Sequence, residues 1–152
     1  MYNKEKQREL FKNFPLEKMR VVGQYYSAGI EFFPDEENQD TVRVVQTRLS
    51  NGFIFNRKEL VKRAKGLFPD KKIKPVRFHL DISVITPEWV KEKMKEHNLN
   101  NNDIVSQTTI DKTTLSLYFS KKRGMTRSVR ALFFYYFLAL DLKAQSLNHS
   151  IN

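Results

Sequence analysis

The side chains with a claim to chemistry are few and scattered. His79, His97 and His149 lie far apart in the chain, and there is no cysteine, which excludes thiolate nucleophiles, disulfides and thiolate zinc sites. Asp35, Glu36 and Glu37 crowd one stretch, but proximity alone does not make a ligand set for a hard cation, and we assign no metal and no cofactor. Asp70-Lys71-Lys72 is too short a match for carboxylate-and-lysine nuclease chemistry, and the sequence holds no phosphate-binding glycine loop, zinc-protease helix or nucleophile elbow. The expectation is that the chain is not an enzyme. What does cluster is an outward helix face rich in short polar side chains, Lys112, Thr113, Thr114 and Ser116 with the apolar Leu117 beside them, followed by the cations Lys121, Lys122, Arg123 and Arg127. Hydroxyls donate to or accept from base edges, lysine reaches guanine acceptors and methyl groups contact thymine, so such a face suits the major groove of DNA. The cations beyond it suit the phosphate backbone, where they add salt-dependent, sequence-independent affinity.

The surrounding pattern supplies the elements that would hold this face in place. Thr86-Pro87-Glu88 reads as a helix start with proline in the first position, followed by Trp89, Val90 and Met94 on one face and a stop near Asn98. After Leu99 and the polar NNND, a short helix turns Ile104 and Val105 inward and breaks at Thr108-Thr109. Ile110 is buried and Asp111 takes the N-cap position. The next helix buries Leu115 and one or both of Tyr118 and Phe119. Farther on, Val129 to Leu142 holds Phe133, Phe134, Tyr135, Tyr136 and Phe137 in succession, apolar around more of a helix than one core face needs. Its cover comes either from residues 1–85 or from a second copy of the chain, a homodimer.

The stretch VKEKMKEHNLNNNDIVSQTTIDKTTLSLYFSKKRGMTRSVRALFFYYFLAL resembles the Cro/repressor-type (XRE-like) helix-turn-helix family, matching without gaps from Leu99 to Ser120. The resemblance implies a bundle of four or five helices closed by the helix from Ala131 to Leu140. It places Asn101, the first residue of the leading helix, on a phosphate, and makes Lys112 to Phe119 the recognition helix. Two positions depart from the family pattern. Thr109 stands where glycine is frequent in the turn, so a positive φ there would strain a β-branched residue. Val105 stands where alanine is usual.

Upstream, Asn3 to Phe14 suits a short amphipathic helix stopped before Pro15. MRVVGQYYSAGIEFF fits either strands with a turn at Ser27 to Gly29 or a helix from Leu16 to Tyr26, with the helix favoured. Pro34 to Asp40 is an acidic loop. Thr41 to Leu49 alternates like a strand, SNG is a turn and FIF continues as a second strand. NRKELVKRAKGLF is a helix capped by Asn56, and VRFHLDISV is a strand with Val76, Phe78, Leu80 and Ile82 on one face. The expected class is therefore α+β: a small βαβ-like N-terminal unit, residues 1–85, for assembly or accessory DNA contact, and an all-α helix-turn-helix bundle, residues 86–152.

The net charge of +10 and a pI near 9.8 favour a polyanionic partner. The opening MYNKEKQREL lacks the apolar core of a secretory signal, and the longest apolar run, Ala131 to Leu140, is about half of the ~20 residues that span a bilayer. The chain is expected in the cytoplasm, on double-stranded DNA and not at a membrane, as a regulator of a bacterial, phage or mobile-element operon. The alternatives are a replication or mobilisation accessory protein, a nicking enzyme, or an RNA-binding protein. Phe78-His79-Leu80-Asp81 resembles the metal-binding strand of rolling-circle enzymes, but those pair two histidines there and only one is present, which leaves His79 an ordinary strand residue.

Overall fold

The structure, a computed structural model, describes residues 3–151. The chain divides between His79 and Leu80 into two compact units.

The first unit begins with α1 (Lys4–Leu10), whose first turn is capped by the Asn3 side chain accepting from the Glu5 and Lys6 amides at 2.8 and 3.3 Å. The open stretch after Pro15 is a helix, α2 (Leu16–Ser27). Gly29 then takes φ +84°, a conformation that L side chains rarely adopt, and a Cβ at that position would collide with the Arg48 carbonyl. That turn starts β1 (Ile30–Pro34), which pairs antiparallel with β2 (Thr41–Gln46). After α3 (Arg57–Leu67), β3 (Lys72–Val76) adds parallel to β2, giving the sheet order β1-β2-β3. The expected α+β class holds, with a β2-α3-β3 crossover behind a hairpin. Ile30, Phe32, Val42, Val44 and the α3 residues Leu60, Ala64 and Leu67 form the core. Phe11, Phe14, Val21, Val22 and Tyr25 of the first two helical segments pack against it. Gln7 donates to the Phe32 carbonyl at 3.0 Å, so α1 also satisfies a backbone group of an edge strand.

Two expectations are corrected here. Phe53 to Phe55 is not a strand. The buried Gln46 side chain takes the ladder's place, donating to the Phe53 and Arg48 carbonyls at 2.7 and 3.3 Å and accepting from the Phe55 amide at 2.9 Å. Nor do residues 76–84 form a strand. The strand is β3, Lys72–Val76, which shares only Val76 with the expected segment; its last pair sets Val76 opposite Val45, and Asp81 caps a 3-10 turn at Ile82–Val84 by accepting from the Ser83 amide at 3.0 Å.

The second unit is all helical: α4 (Pro87–Glu96), α5 (Asn101–Thr108), α6 (Lys112–Phe119) and α7 (Arg127–Ile151). Ile85, Val90, Ile104, Leu115, Phe133 and Phe137 are fully buried together. The 3-10 turn belongs to this unit, since Ile85 joins its core and Arg130 of α7 donates to the Ile82 carbonyl. Among the described residues, no helix is long and apolar enough to cross a membrane.

Candidate nucleic-acid interface

The α4–α6 segment is built almost entirely from local caps. Thr86 accepts from the Trp89 amide at 3.1 Å to start α4. At its end Asn98 takes φ 52°, and the Leu99 and Asn98 amides return to the Met94 and Lys95 carbonyls at 2.8 and 3.2 Å. This is a Schellman closure, and it carries Leu99 back to the core beside Met94. Asn100 and Asp103 then cap α5 reciprocally, each side chain bonding the other's amide at 3.0 and 2.8 Å. Thr109 ends α5 in the left-handed region at φ 62°, ψ 9°. The preceding Thr108 hydroxyl donates to the Ile104 carbonyl at 2.6 Å and accepts from the Ile110 amide at 3.3 Å, which ties off the turn. Asp111 starts α6 by accepting from the Thr114 amide at 2.8 Å.

Three residues thus separate two short helices, and the second is pinned by buried Leu115 and Tyr118, with Phe119 half-buried. Val105 and Ile110 are likewise half-buried against this core. At about 100° per residue, Lys112, Ser116, Ser120, Thr113 and Leu117 share one outward arc of roughly 140°. Lys112, Thr113, Ser116 and Ser120 are exposed and Leu117 half-exposed. Ser120 joins this arc although sequence reasoning did not include it, and its hydroxyl donates to the Leu117 carbonyl at 3.3 Å. The signal was the four-residue step from Lys112 through Ser116, had the helix been carried one residue past Phe119.

Thr114 lies off this arc. It is half-buried, and its hydroxyl donates to the Asp111 carboxylate at 2.6 Å, which with the Thr114 amide bond holds that carboxyl below the usual aspartate range. The position assigned to base contact therefore serves the cap.

Beyond α6, Lys121 turns the chain at φ 61°, and the Arg123 amide bonds back to the Leu117 carbonyl at 3.2 Å. Met125 plugs into the core and Thr126 caps α7. Lys121, Lys122 and Arg123, all exposed, thus follow directly on the C-terminal end of α6, and Arg127 is exposed at the first position of α7. Cations near a helix C-terminus are favoured by its dipole in any case. Lys121 is ion-paired with Glu88 of α4, a contact that holds the Glu88 carboxyl below its usual value. Asn101 is exposed at the first position of α5.

A second polar cluster joins α4 to α7. His97 Nε2 lies 2.7 Å from Asp141, and Lys93 bridges Glu96 and Asp141 at 2.8 and 3.2 Å. Burial acts to lower the Lys93 pKa, but its two carboxylate partners together outweigh burial and raise it. The donor atoms of Glu96, His97 and Asp141 lie within 4.8 Å of one another, with the Lys93 ammonium as their cation. His79 is exposed and outside any strand. Comparison of the chain with protein-family models, with curated proteins and with solved structures returns no match.

Proposed function

We propose that this protein binds double-stranded DNA in a sequence-dependent way by seating α6 in the major groove, and that it acts as a transcriptional regulator of a bacterial, phage or mobile-element operon. The observation that carries the reading is the outward arc of α6. Short hydroxyl side chains and one lysine lie on a helix whose other faces are locked into a core, and a cation cluster adjoins its end. The cap at Asp111, the tied turn at Thr108 and buried Leu115 and Tyr118 fix the rotation of α6 and so keep this arc outward. In this reading Lys112, Thr113, Ser116, Ser120 and Leu117 meet base edges, while Asn101, Lys122, Arg123 and Arg127 meet phosphates. The protein works in the cytoplasm as a homodimer joined through α7, without catalysis and without a cofactor.

The test is selection of random duplex DNA on the purified chain at physiological salt. The expected result is a palindromic motif whose half-sites lie about ten base pairs apart. Thr113→Ala or Ser116→Ala should change the preferred sequence, whereas Lys122→Ala or Arg123→Ala should weaken binding to all sequences and flatten the salt slope. If both pairs of substitutions behave alike, α6 does not read bases.

A further inference from the structure

The positive charge is unevenly placed, and most of it lies away from α6. Residues 56–77 hold nine lysines and arginines against two acidic residues, a net +7 of the chain's +10. Residues 1–55 balance at eight against eight. On α3, Lys58, Lys62 and Lys65 follow one another at steps of four and three residues, all exposed, so they form a single stripe about 10 Å long. Core packing explains the opposite side of the helix, where Leu60, Ala64 and Leu67 are buried, and Lys65 donates to the Pro69 and Lys71 carbonyls at 3.3 and 2.6 Å, but neither accounts for Lys58 and Lys62. Lysines at these spacings repel and destabilise a helix.

The one acid on α3 does not offset them. Glu59 is engaged at the N-terminus, where its carboxylate accepts from the Asn56 amide at 2.7 Å in a capping box. Among the described residues Arg57, Lys58, Lys62 and Arg63 make no ion pair. Arg63 is also pre-oriented. Its guanidinium lies 4.4 Å from the centre of the Phe55 ring and donates to the Glu59 carbonyl at 3.1 Å. A recess of about 340 Å³ opens beside it, lined by Tyr25, Lys62 and Arg63.

We infer that α3 is a second DNA-contacting surface, which grips the phosphate backbone through Lys58, Lys62 and Arg63 without reading sequence. The residue types decide between backbone and bases. The stripe offers long cations and none of the short hydroxyl groups that α6 presents, and two cations at the recess match the chemistry of a phosphodiester. The inference shares with the reading of α6 the assumption that the partner is duplex DNA, but it does not need α6 to recognise sequence.

The experiment is a fluorescence-anisotropy titration of a random-sequence 20-base-pair duplex, across a range of salt, with the full chain. The variants are Lys58→Gln/Lys62→Gln/Arg63→Gln and, as a matched charge removal elsewhere in the same unit, Lys4→Gln/Lys6→Gln/Arg8→Gln. Each lost phosphate contact lowers the slope of log affinity against log salt by about 0.9, so the α3 variant should lose two to three units and the control far less. Lys58→Gln/Lys62→Gln leaves the Arg63 stack on Phe55 in place and should lose about two units. A melting curve matching wild type checks that the fold survives. Equal losses in both triple variants would reduce the effect to bulk charge and overturn the assignment, as would an unchanged slope. Binding to vesicles of anionic lipid in place of the duplex would also overturn it. A lost slope with no motif recovered by selection would leave α3 standing and sink the reading of α6. A recovered motif with an unchanged slope would do the reverse.

Discussion

The Thr114 hydroxyl donates to the Asp111 carboxylate at 2.6 Å while the Thr114 amide bonds the same side chain at 2.8 Å, so the start of α6 carries an ionised acid facing solvent. In the proposed complex that charge opposes the phosphates. Asp111→Asn keeps a cap acceptor and removes the charge. It should therefore raise duplex affinity a few-fold at low salt with little change in melting temperature, measured by anisotropy and circular dichroism. The pH dependence should change as well. The folded-state pKa is lowered, so the cap is at full strength above the ordinary aspartate value and weakens as pH falls through the lowered one. The asparagine variant should lose that acid-side dependence of stability. Affinity lower than wild type would show that Asp111 does not face DNA.

Glu88 makes a related prediction. Its pairing with Lys121 holds one of the four cations beside α6 in an internal contact, with both side chains more than half exposed. Glu88→Gln should release Lys121 to phosphate and remove a repelling charge, strengthening binding by up to about fivefold at low salt. The gain should fade at high salt, where exposed pairs are screened. A gain that persisted at high salt would mean a change of structure and not of charge.

These two contacts mark the limit of what the sequence discloses. The helices α4, α5 and α6 were legible because their signals are local: Thr86, Asn100 and Asp111 as caps, Ile104 and Leu115 at helical spacing, and Thr109 as the strained turn. The removal of Thr114 from the reading face follows from a three-residue contact that the binary pattern does not express, since a threonine there serves a cap or a groove equally well. The Glu88–Lys121 pair spans too much sequence to be read from it. In the first unit, Phe53-Ile54-Phe55 has strand composition, yet its backbone is satisfied by the side chain of Gln46, a tertiary fact without a local signature. The ambiguity of Leu16 to Ser27 has the opposite cause: Val21, Val22 and Tyr25 suit strand propensity, and packing against the sheet decides for the helix.

Thr109 supplies a stability prediction. A β-branched residue at φ 62° carries strain of about 1–3 kcal/mol, and glycine at this position costs about 0.5–1 kcal/mol in added freedom of the unfolded chain. Among the described residues the Thr109 hydroxyl makes no hydrogen bond, and the residue is exposed, so nothing offsets the strain locally. Thr109→Gly should stabilise the protein by about 1 kcal/mol, read as a higher denaturation midpoint with an unchanged slope. A destabilised variant would show that the left-handed turn is not maintained in solution.

The aromatic run on α7 divides cleanly. Phe133 and Phe137 are fully buried by their own unit and Phe134 and Tyr136 pack half-buried against the same core, so four of the five aromatics are covered, whereas Leu132 and Tyr135 remain 40% and 43% exposed. Ala139 follows Tyr135 at a four-residue step and is exposed too, so the three form a stripe at the alternating spacing that two helices use to pack side by side. If α7 joins two copies, Leu132→Lys/Tyr135→Lys should convert a dimer into a monomer by light scattering. The melting temperature of a single chain should change little, because both residues lie outside the core. The same variant should bind one half-site as before and lose the preference for the palindrome, since each α6 keeps its own contacts while their fixed spacing is gone. A wild-type chain that is monomeric at all concentrations, or a variant that remains dimeric, would remove α7 as the interface without touching the reading of α6.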